Sequence, residues 1–281
     1  MTPAAPRDLE AARALVAERG LRIGDPLVLL ASCGSTNDEA KEAAREGAAH
    51  GAVWVTEEQT KGRGRQGRVW QSPAGDGLLF SVLLRVSCEP SRVPQLSLAC
   101  GVAVRDAIAK AIGDDAAALV KWPNDVLVRG TDGQLRKVAG ILVESSVSGA
   151  RASHVVVGVG VNVCTRAFPA ELAQATSVAI ERGARGSGAS TPDRAELLVD
   201  VLGGLDRLVE LVAHRGLAPL RACLEAHDAL AGREVAVEGA RGTAAGIDAE
   251  GRLLVRGPDG AVTRVTSGEV HLGTAVVGSG V

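Results

Sequence analysis

The chain has 281 residues, of which 46% are hydrophobic and 23% are charged, and its formal net charge is −2. This composition is typical of a globular protein with room for one large domain and a small one. The charge gives no general attraction to nucleic acid, and no apolar run approaches the roughly 18 residues that a membrane span requires. No signal peptide is visible, and the five cysteines, which lack paired spacing, are interpreted as buried thiols. We therefore expect a cytoplasmic protein in a reducing compartment.

The first part of the chain predicts a helix, a strand and a second helix. Apolar residues recur on one face of Leu9–Arg19, and Leu27–Leu30 predicts the first strand. Ser35, Thr36 and Asn37 come next and begin a run that predicts the second helix. Ser35 or Thr36 suits the N-cap of that helix, and capping alone is the simplest interpretation of both hydroxyls.

The segment Gly62–Trp70 follows a predicted strand over residues 52–57 and contains three glycines, three arginines and a final tryptophan. Glycine lets the backbone approach a ligand closely, and arginine offers a planar fork for phosphate or carboxylate. The spacing also matches the dinucleotide-binding fingerprint, but the residues that follow contain too many helix breakers to supply the required helix. We predict a loop that closes over an anionic ligand, and the alternative is a solvated loop of arginines and glycines.

The middle of the chain predicts a sheet with long helices. Strands are predicted over Leu78–Val86, Leu135–Glu144 and His154–Val163, and helices over Ser91–Ile112, Pro192–His214 and Leu217–Leu230. Residues 165–190 predict an irregular loop, with a stretch rich in glycine and serine at 183–190 that we expect to be mobile. Glycines inside the strand that ends near Asn162 indicate close approach by a ligand.

The strand-like run at residues 119–128 is interrupted in its middle. Pro123 offers no N–H to a ladder, and Lys121, Asn124 and Asp125 lie around it. Polar side chains at such a break suggest that they face a site. The alternative is a bulge on an edge strand with solvated side chains.

Short, evenly spaced strands from Gly232 onward predict a small barrel. The change of pattern near residue 231 is the clearest boundary in the sequence. We therefore divide the chain into a short N-terminal helical segment at 1–26, a larger domain at 27–230 and a small C-terminal domain at 231–275.

Polar side chains placed in apolar or glycine-rich strands are the candidates for chemistry. They are Gln59, Arg63, Arg65, Arg68, Lys121, Asn124, Asp125, Lys137 and Asn162. The sequence contains no pattern typical of a Ser-His-Asp triad, an HExxH zinc site or a P-loop. An excess of cations with one carboxylate suits transfer of a phosphoryl-type group, and Asp125 could help to hold Mg²⁺.

Three segments in this order, Gly62–Trp70, Lys121–Asp125 and Lys137–Glu144, resemble the biotin protein ligases. The resemblance extends from Ser35 to the small C-terminal domain. It implies an α+β catalytic domain with a mixed sheet and helices, similar to that of class II aminoacyl-tRNA synthetases, followed by an SH3-like barrel. It also implies two steps: biotin and MgATP give biotinyl-5′-AMP, and a lysine of a biotin carboxyl carrier protein then accepts biotin.

The resemblance also implies roles for individual residues. A biotin pocket is expected from Ser35, Thr36, Asn37, Gln59, Arg63, Gly64, Arg65 and Lys137. Contacts with ATP are expected from Arg63, Arg68, Trp70, Asn124 and Asn162. Lys137 and Arg65 are the expected catalytic residues, together with Asp125, which is assigned to Mg²⁺ or to positioning.

Partners and alternatives follow from the same resemblance. The expected acceptor is the biotin carboxyl carrier protein of acetyl-CoA carboxylase or of a related carboxylase, and the expected assembly is a monomer or homodimer. Some family members carry an N-terminal DNA-binding domain. Since only one helix fits before Leu27, we expect no specific DNA binding and no membrane association. The alternatives are a lipoate– or octanoate–protein ligase and a non-enzymatic module that binds nucleotide or RNA.

Overall fold

The computed structural model of the chain describes residues 5–86, 88–148, 151–186 and 191–272. The α-helices in these ranges are α1 Ala11–Glu18, α2 Thr36–Arg45, α3 Val93–Ile112, α4 Val178–Ala184, α5 Arg194–Arg215 and α6 Arg221–Ala226. The strands are β1 Leu27–Cys33, β2 Val53–Gln59, β3 Gly77–Leu84, β4 Ala118–Lys121, β5 Asp125–Arg129, β6 Leu135–Ser148, β7 Arg151–Asn162, β8 Glu234–Val237, β9 Ala240–Ile247, β10 Leu253–Arg256, β11 Val262–Val265 and β12 His271–Leu272. None of the helices described is long and apolar enough to cross a membrane.

Seven strands form one mixed sheet in the order β1-β2-β3-β7-β6-β5-β4. β1 and β2 are parallel, and all other neighbours are antiparallel. The remaining strands form a separate antiparallel sheet in the order β11-β10-β9-β8-β12, which fits the predicted SH3-like domain. The predicted α+β class is confirmed.

Helices cover both faces of the large sheet because side chains alternate between the faces along each strand. Phe80 of β3 lies in the main core, which also contains much of α3 and α5. Leu83 of the same strand lies in a smaller cluster with Ala40 and Ala44 of α2. By the same alternation, Ser81 is directed to the α2 side of the sheet, and this is the side on which the candidate site lies.

The prediction of an irregular loop over residues 165–190 is wrong for part of that region. Residues Val178–Ala184 form α4, and Ser177 caps it by accepting a hydrogen bond from the backbone N–H of Ile180 at 3.1 Å. A helix of seven residues is too short to show clear periodicity, and its cap is the better signal. Residues 187–190, in the stretch expected to be mobile, lie outside the described residues, as do residues 149–150 between β6 and β7.

The predicted helix Leu217–Leu230 is shorter in the structure. A 3-10 turn precedes α6, and α6 ends at Ala226. Beyond it, Val120 of β4 donates to the carbonyl of His227 at 2.8 Å and accepts from the N–H of Ala229 at 2.9 Å. Pairing with the edge of the sheet therefore replaces the helical hydrogen bonds of these residues, an example of tertiary context overriding local propensity.

The cysteines are free thiols, but the prediction that all are buried is only partly correct. Cys88 and Cys100 are buried, whereas Cys33, Cys164 and Cys223 are partly exposed. Burial raises the pKa of the Cys33 thiol to about 11 and that of Cys100 to about 12. These two thiols are therefore protonated and unreactive at neutral pH.

Candidate active site

A cavity opens on the α2 side of the large sheet, where loops from distant parts of the chain meet. The predicted site residues that line it are Ser35, Thr36, Asn37, Gln59, Arg63, Gly64, Arg65, Arg68, Trp70, Asn124, Asp125 and Lys137. The run at residues 119–128, predicted as an interrupted strand, contains most of β4 and β5 and the tight turn between them. Lys121 also lines the cavity. The turn thus directs polar side chains into a site rather than forming a solvated bulge.

Asn162 is the predicted site residue that does not line this cavity. It lies at the end of β7 and is buried, and its side-chain amide donates to the carbonyl of Thr176 at 3.1 Å. This bond fixes the segment that leads into α4. The contact of Asn162 with ATP stays a prediction.

Four polar side chains, Thr36, Asn37, Gln59 and Ser81, form a network that we call the amide end of the cavity. The first three line the cavity, and Ser81 is fully buried next to them. Thr36 donates to Oε1 of Gln59 through its backbone N–H at 2.8 Å and through its hydroxyl at 3.2 Å. The hydroxyl of Ser81 lies 2.7 Å from that of Thr36 and 2.6 Å from Oδ1 of Asn37. Because each group has a partner, the network holds its side chains in one arrangement.

The start of α2 is built for this site rather than for capping alone. Ser35 occupies the N-cap position, yet its side chain makes no capping hydrogen bond, and it is buried in the cavity wall. Asn37, one residue into the helix, donates to Glu144 of β6 at 2.6 Å. Glu144 is also paired with Lys41 at 3.0 Å. These bonds fix the first turn of α2 against the sheet.

Gly62–Trp70, which we call the arginine loop, folds as a narrow hairpin over the cavity. The N–H of Gly64 donates to the carbonyl of Arg68 at 2.7 Å, and that of Trp70 donates to the carbonyl of Gly62 at 3.1 Å. A Cβ on Gly62 would lie 2.3 Å from the carbonyl oxygen of Trp70, so only glycine fits there. Each of the three arginines of the hairpin has a different partner.

Arg63 is held by α2. Its guanidinium donates to both carboxylate oxygens of Asp38 at 2.6 Å, a bidentate pair. This arginine, with help from Lys41, holds the pKa of Asp38 well below its usual range. The pair closes one side of the arginine loop onto the helix that carries the amide end.

Arg65 and Arg68 are held by two other elements. Arg65 donates to Oδ1 of Asn124, in the β4–β5 turn, at 3.3 Å, and burial lowers its pKa. Arg68 forms an ion pair with Glu269 of the small C-terminal sheet region. Glu269 also lines the cavity, so the small domain contributes part of the wall.

Lys137 and Lys121 share one carboxylate. Nζ of Lys137 lies 2.7 Å from Oδ1 of Asp125, and Nζ of Lys121 lies 4.0 Å from Oδ2 of the same residue. Burial lowers the pKa of Lys121, repulsion from Lys137 adds to this, and Asp125 opposes it. Two ammonium groups facing one carboxylate leave a net positive charge that suits anionic reactants.

The indole of Trp70 lies flat against the glycines of the sheet. A Cβ on Gly160 would approach the ring to 2.5 Å, and one on Gly140 would approach it to 3.1 Å. A Cβ on Gly158 would lie 2.2 Å from Oδ1 of Asn37. The strand glycines were expected to admit a ligand, but in this structure they admit the side chains of Trp70 and Asn37.

The described residues contain no group of three or more His, Cys, Asp or Glu side chains that could hold a metal ion. Asp125 and Glu269 are the carboxylates that line the cavity, and both are in ion pairs with cations. Mg²⁺ commonly takes one or two carboxylates and completes its coordination with phosphate oxygens and waters. The residues therefore fit Mg²⁺ only as part of MgATP, and the role of Asp125 stays a prediction.

Sequence reasoning missed two residues of the candidate site. Ser81 is the sole polar residue in β3, whose residues are all buried, and a hydroxyl in such a strand is the signal that could have identified it. Glu269 had no such signal, because its position depends on how the two sheets are placed relative to each other.

Comparisons with known proteins agree with this geometry. Residues 30–162 match the biotin/lipoate A/B protein ligase family, and residues 231–273 match the biotin protein ligase C-terminal domain. The biotin–[acetyl-CoA-carboxylase] ligase of Paracoccus denitrificans is 36% identical, with 83% of this chain and 95% of that protein covered. This chain belongs to the biotin protein ligase family.

Further likeness comes from one more relative and one solved structure. The biotin–[acetyl-CoA-carboxylase] ligase of Mycobacterium tuberculosis is 37% identical, with 88% of this chain and 89% of that protein covered. A biotin protein ligase from Aquifex aeolicus, solved with biotin and ATP, has a TM-score of 0.71 and 30% identity, covering 88% of this chain and 97% of that one. The resemblance to the biotin protein ligases, which was inferred from three sequence motifs, is thus confirmed.

Proposed function

We propose that this biotin protein ligase activates biotin with MgATP and then transfers biotin to a lysine of a biotin carboxyl carrier protein. The observation that carries the proposal is the convergence of three separate motifs on one cavity, in which Lys137 lies beside Asp125 and the ring of Trp70. The relatives named biotin–[acetyl-CoA-carboxylase] ligase support acetyl-CoA carboxylase as the source of the acceptor domain.

In the first step, a carboxylate oxygen of biotin attacks the α-phosphorus of ATP. The bond from that phosphorus to the bridging oxygen breaks, and pyrophosphate leaves with the electron pair. Both reactants are anions, so the step needs cations that offset their repulsion and the charge that develops on the phosphoryl oxygens. Lys137 and Lys121 lie together at Asp125 and supply these cations from fixed positions.

In the second step, the neutral amine of the acceptor lysine attacks the carbonyl carbon of biotinyl-5′-AMP. The carbon–oxygen bond of the mixed anhydride breaks, AMP leaves, and the amine loses a proton as the amide forms. The arginine loop, tied to Asp38, Asn124 and Glu269, shields the anhydride from water until the acceptor arrives.

The two substrates are assigned to opposite ends of the cavity. The amide end offers paired donors and acceptors that suit the ureido group of biotin. The other end has the planar ring of Trp70, which suits an adenine base. Nε1 of Trp70 is buried without a hydrogen-bond partner among the described residues. In this proposal residues 27–230 form the catalytic domain and residues 231–275 the SH3-like domain.

The test is exchange of labelled pyrophosphate into ATP with Mg²⁺, measured with biotin, with lipoate and without an acid. We expect exchange with biotin alone. A second assay then follows labelling of a purified carrier domain of acetyl-CoA carboxylase and of the same domain with its acceptor lysine replaced by arginine.

Each outcome decides between functions. Exchange that depends on lipoate would assign the protein to the related lipoate ligases. Absence of exchange with every acid would remove the enzymatic assignment and favour a nucleotide-binding module. Exchange with biotin but no labelling of the carrier would retain the activation step and reject this acceptor.

A further inference from the structure

Three hydrogen bonds join the β4–β5 region to the C-terminal part of the chain. Two of them link the backbone of Val120 to His227, at 2.8 Å, and to Ala229, at 2.9 Å. The third crosses to the small sheet, where Nε1 of Trp122 donates to the carbonyl of Gly251 at 2.9 Å. The first two involve the connection between the domains, and the third reaches the C-terminal domain itself, which also shares the main core.

Both partners of the third bond are fixed. The side chain of Trp122 is 1% exposed and belongs to the main core. Gly251 lies in the turn between β9 and β10, where its N–H donates to the carbonyl of Asp248 at 3.0 Å. The side chain of Asp248 closes this turn by accepting from the N–H of Glu250 at 3.0 Å and from that of Arg252 at 2.9 Å. A buried donor therefore meets a rigid acceptor, and the bond has little freedom to adjust.

The turn that carries Trp122 also carries residues of the site. Lys121 precedes it and Asn124 follows two residues later, and both line the cavity. Asn124 accepts from Arg65 and donates to the carbonyl of Ile141 at 2.9 Å. A shift of the indole therefore moves groups on the side of the cavity assigned to ATP.

We infer that Trp122 is a positioning residue that couples the placement of the C-terminal domain to the ATP side of the active site. This inference rests on the proposed function. A second contact at the same interface agrees with it, because Glu269 of the C-terminal domain pairs with Arg68 of the arginine loop. In the part of the chain that the structure describes, no hydrogen bond or ion pair joins the amide end to the C-terminal domain. The coupling therefore acts on the binding of ATP and not on that of biotin.

The test is Trp122→Phe, which keeps an aromatic ring and removes the N–H donor. We expect the rate of biotin-dependent pyrophosphate exchange to fall about ten- to a hundredfold, since a misplacement of ~1 Å has effects of this size. The dissociation constant of biotin alone, from calorimetry, should stay within about twofold, because the amide end is untouched. Asp248→Ala, which removes the acceptor of both backbone N–H groups in the turn that holds Gly251, should give the same split to a smaller extent.

The matched control is Trp54→Phe, a second buried tryptophan, which lies in β2 next to α2 and does not line the cavity. Loss of buried volume affects both tryptophan variants, so slower pyrophosphate exchange in Trp122→Phe alone excludes a general packing effect. Trp122 itself lines the cavity, whereas Asp248 does not, so slower exchange in Asp248→Ala as well separates the coupling from a direct contact of the indole. Unchanged exchange in Trp122→Phe, or an equal loss of biotin binding, would overturn the inference.

A readout without activity covers the case in which Trp122→Phe fails to fold. The indole N–H of Trp122 in the wild-type protein should be protected from hydrogen exchange, and Asp248→Ala should reduce that protection. Equal rates of hydrogen exchange at this N–H in both proteins would show that the bond does not constrain Trp122. Failure of the proposed function would give a different result, because the wild-type protein would then show no biotin-dependent pyrophosphate exchange.

Discussion

The ammonium of Lys137 lies 2.7 Å from Oδ1 of Asp125 and 5.4 Å from the centroid of the Trp70 ring. Its backbone is fixed as well, because its N–H donates to the carbonyl of Gln174 at 2.7 Å and its carbonyl accepts from Thr176 at 2.9 Å. The charge is therefore held in place at both the backbone and the side chain before any substrate arrives. Such preorganisation is what an electrostatic catalyst requires.

Replacing Lys137 with Met keeps most of the length of the side chain and removes its charge. We expect the rate of pyrophosphate exchange to fall about 10²–10³-fold, the usual effect of removing one group that stabilises transition-state charge. Biotin affinity should fall less, because the amide end keeps its own contacts. The assay is pyrophosphate exchange at saturating biotin and ATP, together with calorimetry for biotin.

The control for this change is Lys110→Met. Lys110 is paired with Asp200, and its side chain is 65% exposed. An exposed ion pair contributes little to stability, so the rate of pyrophosphate exchange should be unchanged in Lys110→Met. If Lys137→Met kept most of the wild-type rate, Lys137 would not be the group that neutralises the reacting phosphate.

Ser81→Ala should disrupt the amide end. The substitution leaves Oδ1 of Asn37 without its hydrogen bond in a buried position, which costs about 1–3 kcal/mol of stability. Biotin affinity should fall by about tenfold, since 1.4 kcal/mol corresponds to that factor. Calorimetry and thermal unfolding measure the two effects. Ser91→Ala at an exposed position is the control, and equal biotin affinity in both variants would show that Ser81 does not position Asn37 for biotin.

The order of strands and helices in the larger domain was predictable because its strands are long apolar runs between clear breakers. The strand at Leu78–Val86 and the helix at Ser91–Ile112 were placed within about two residues of β3 and α3. The same periodicity could not find α4 or the end of α6. α4 is too short for a periodic pattern, and its cap, Ser177, is the better signal. The end of α6 depends on pairing with Val120, which is set by the three-dimensional structure.

The candidate site was predictable where polar residues interrupt an apolar pattern. Lys121, Asn124 and Asp125 around Pro123 are such an interruption, and the structure places them in the cavity wall. The pairing of each loop arginine was not predictable, because Asp38, Asn124 and Glu269 lie far apart in the sequence. The sequence also did not predict which side chains pack against the glycines of β7.

Gly160→Ala should displace the ring of Trp70. The added Cβ would lie 2.5 Å from the ring, too close for a normal contact. Overpacking of this kind costs about 1–3 kcal/mol, and the displaced indole should raise the KM for ATP. The measurements are thermal unfolding and the ATP dependence of pyrophosphate exchange.

The control for this change is Gly183→Ala, since a Cβ at Gly183 in α4 meets nothing within 4 Å. Alanine in a helix is more stable than glycine by roughly 0.5–1 kcal/mol, so this variant should unfold at a higher temperature with an unchanged KM. A Gly160→Ala protein with the wild-type KM for ATP would mean that Trp70 does not contribute to binding ATP.

The lowered pKa of Lys121 predicts an alkaline limit on ATP binding. A lysine with a lowered pKa loses its proton at a lower pH than an exposed lysine does, and the cation is present only below that pKa. The KM for MgATP in pyrophosphate exchange should therefore rise as the pH is raised from neutral. This step does not involve the acceptor lysine, so its titration does not contribute. The measurement is the KM for ATP at a series of pH values.

Lys121→Arg separates this effect from other alkaline titrations. Arginine stays protonated over the whole range, so the rise in the KM for ATP should move to higher pH or disappear. The charges that face Lys121 and remain in the variant are those of Asp125, Lys137, Glu269 and Arg68. If the variant showed the same alkaline rise as the wild type, a different group would control it. A wild-type KM that is constant from neutral to alkaline pH would show that the charge of Lys121 makes no contribution to binding ATP.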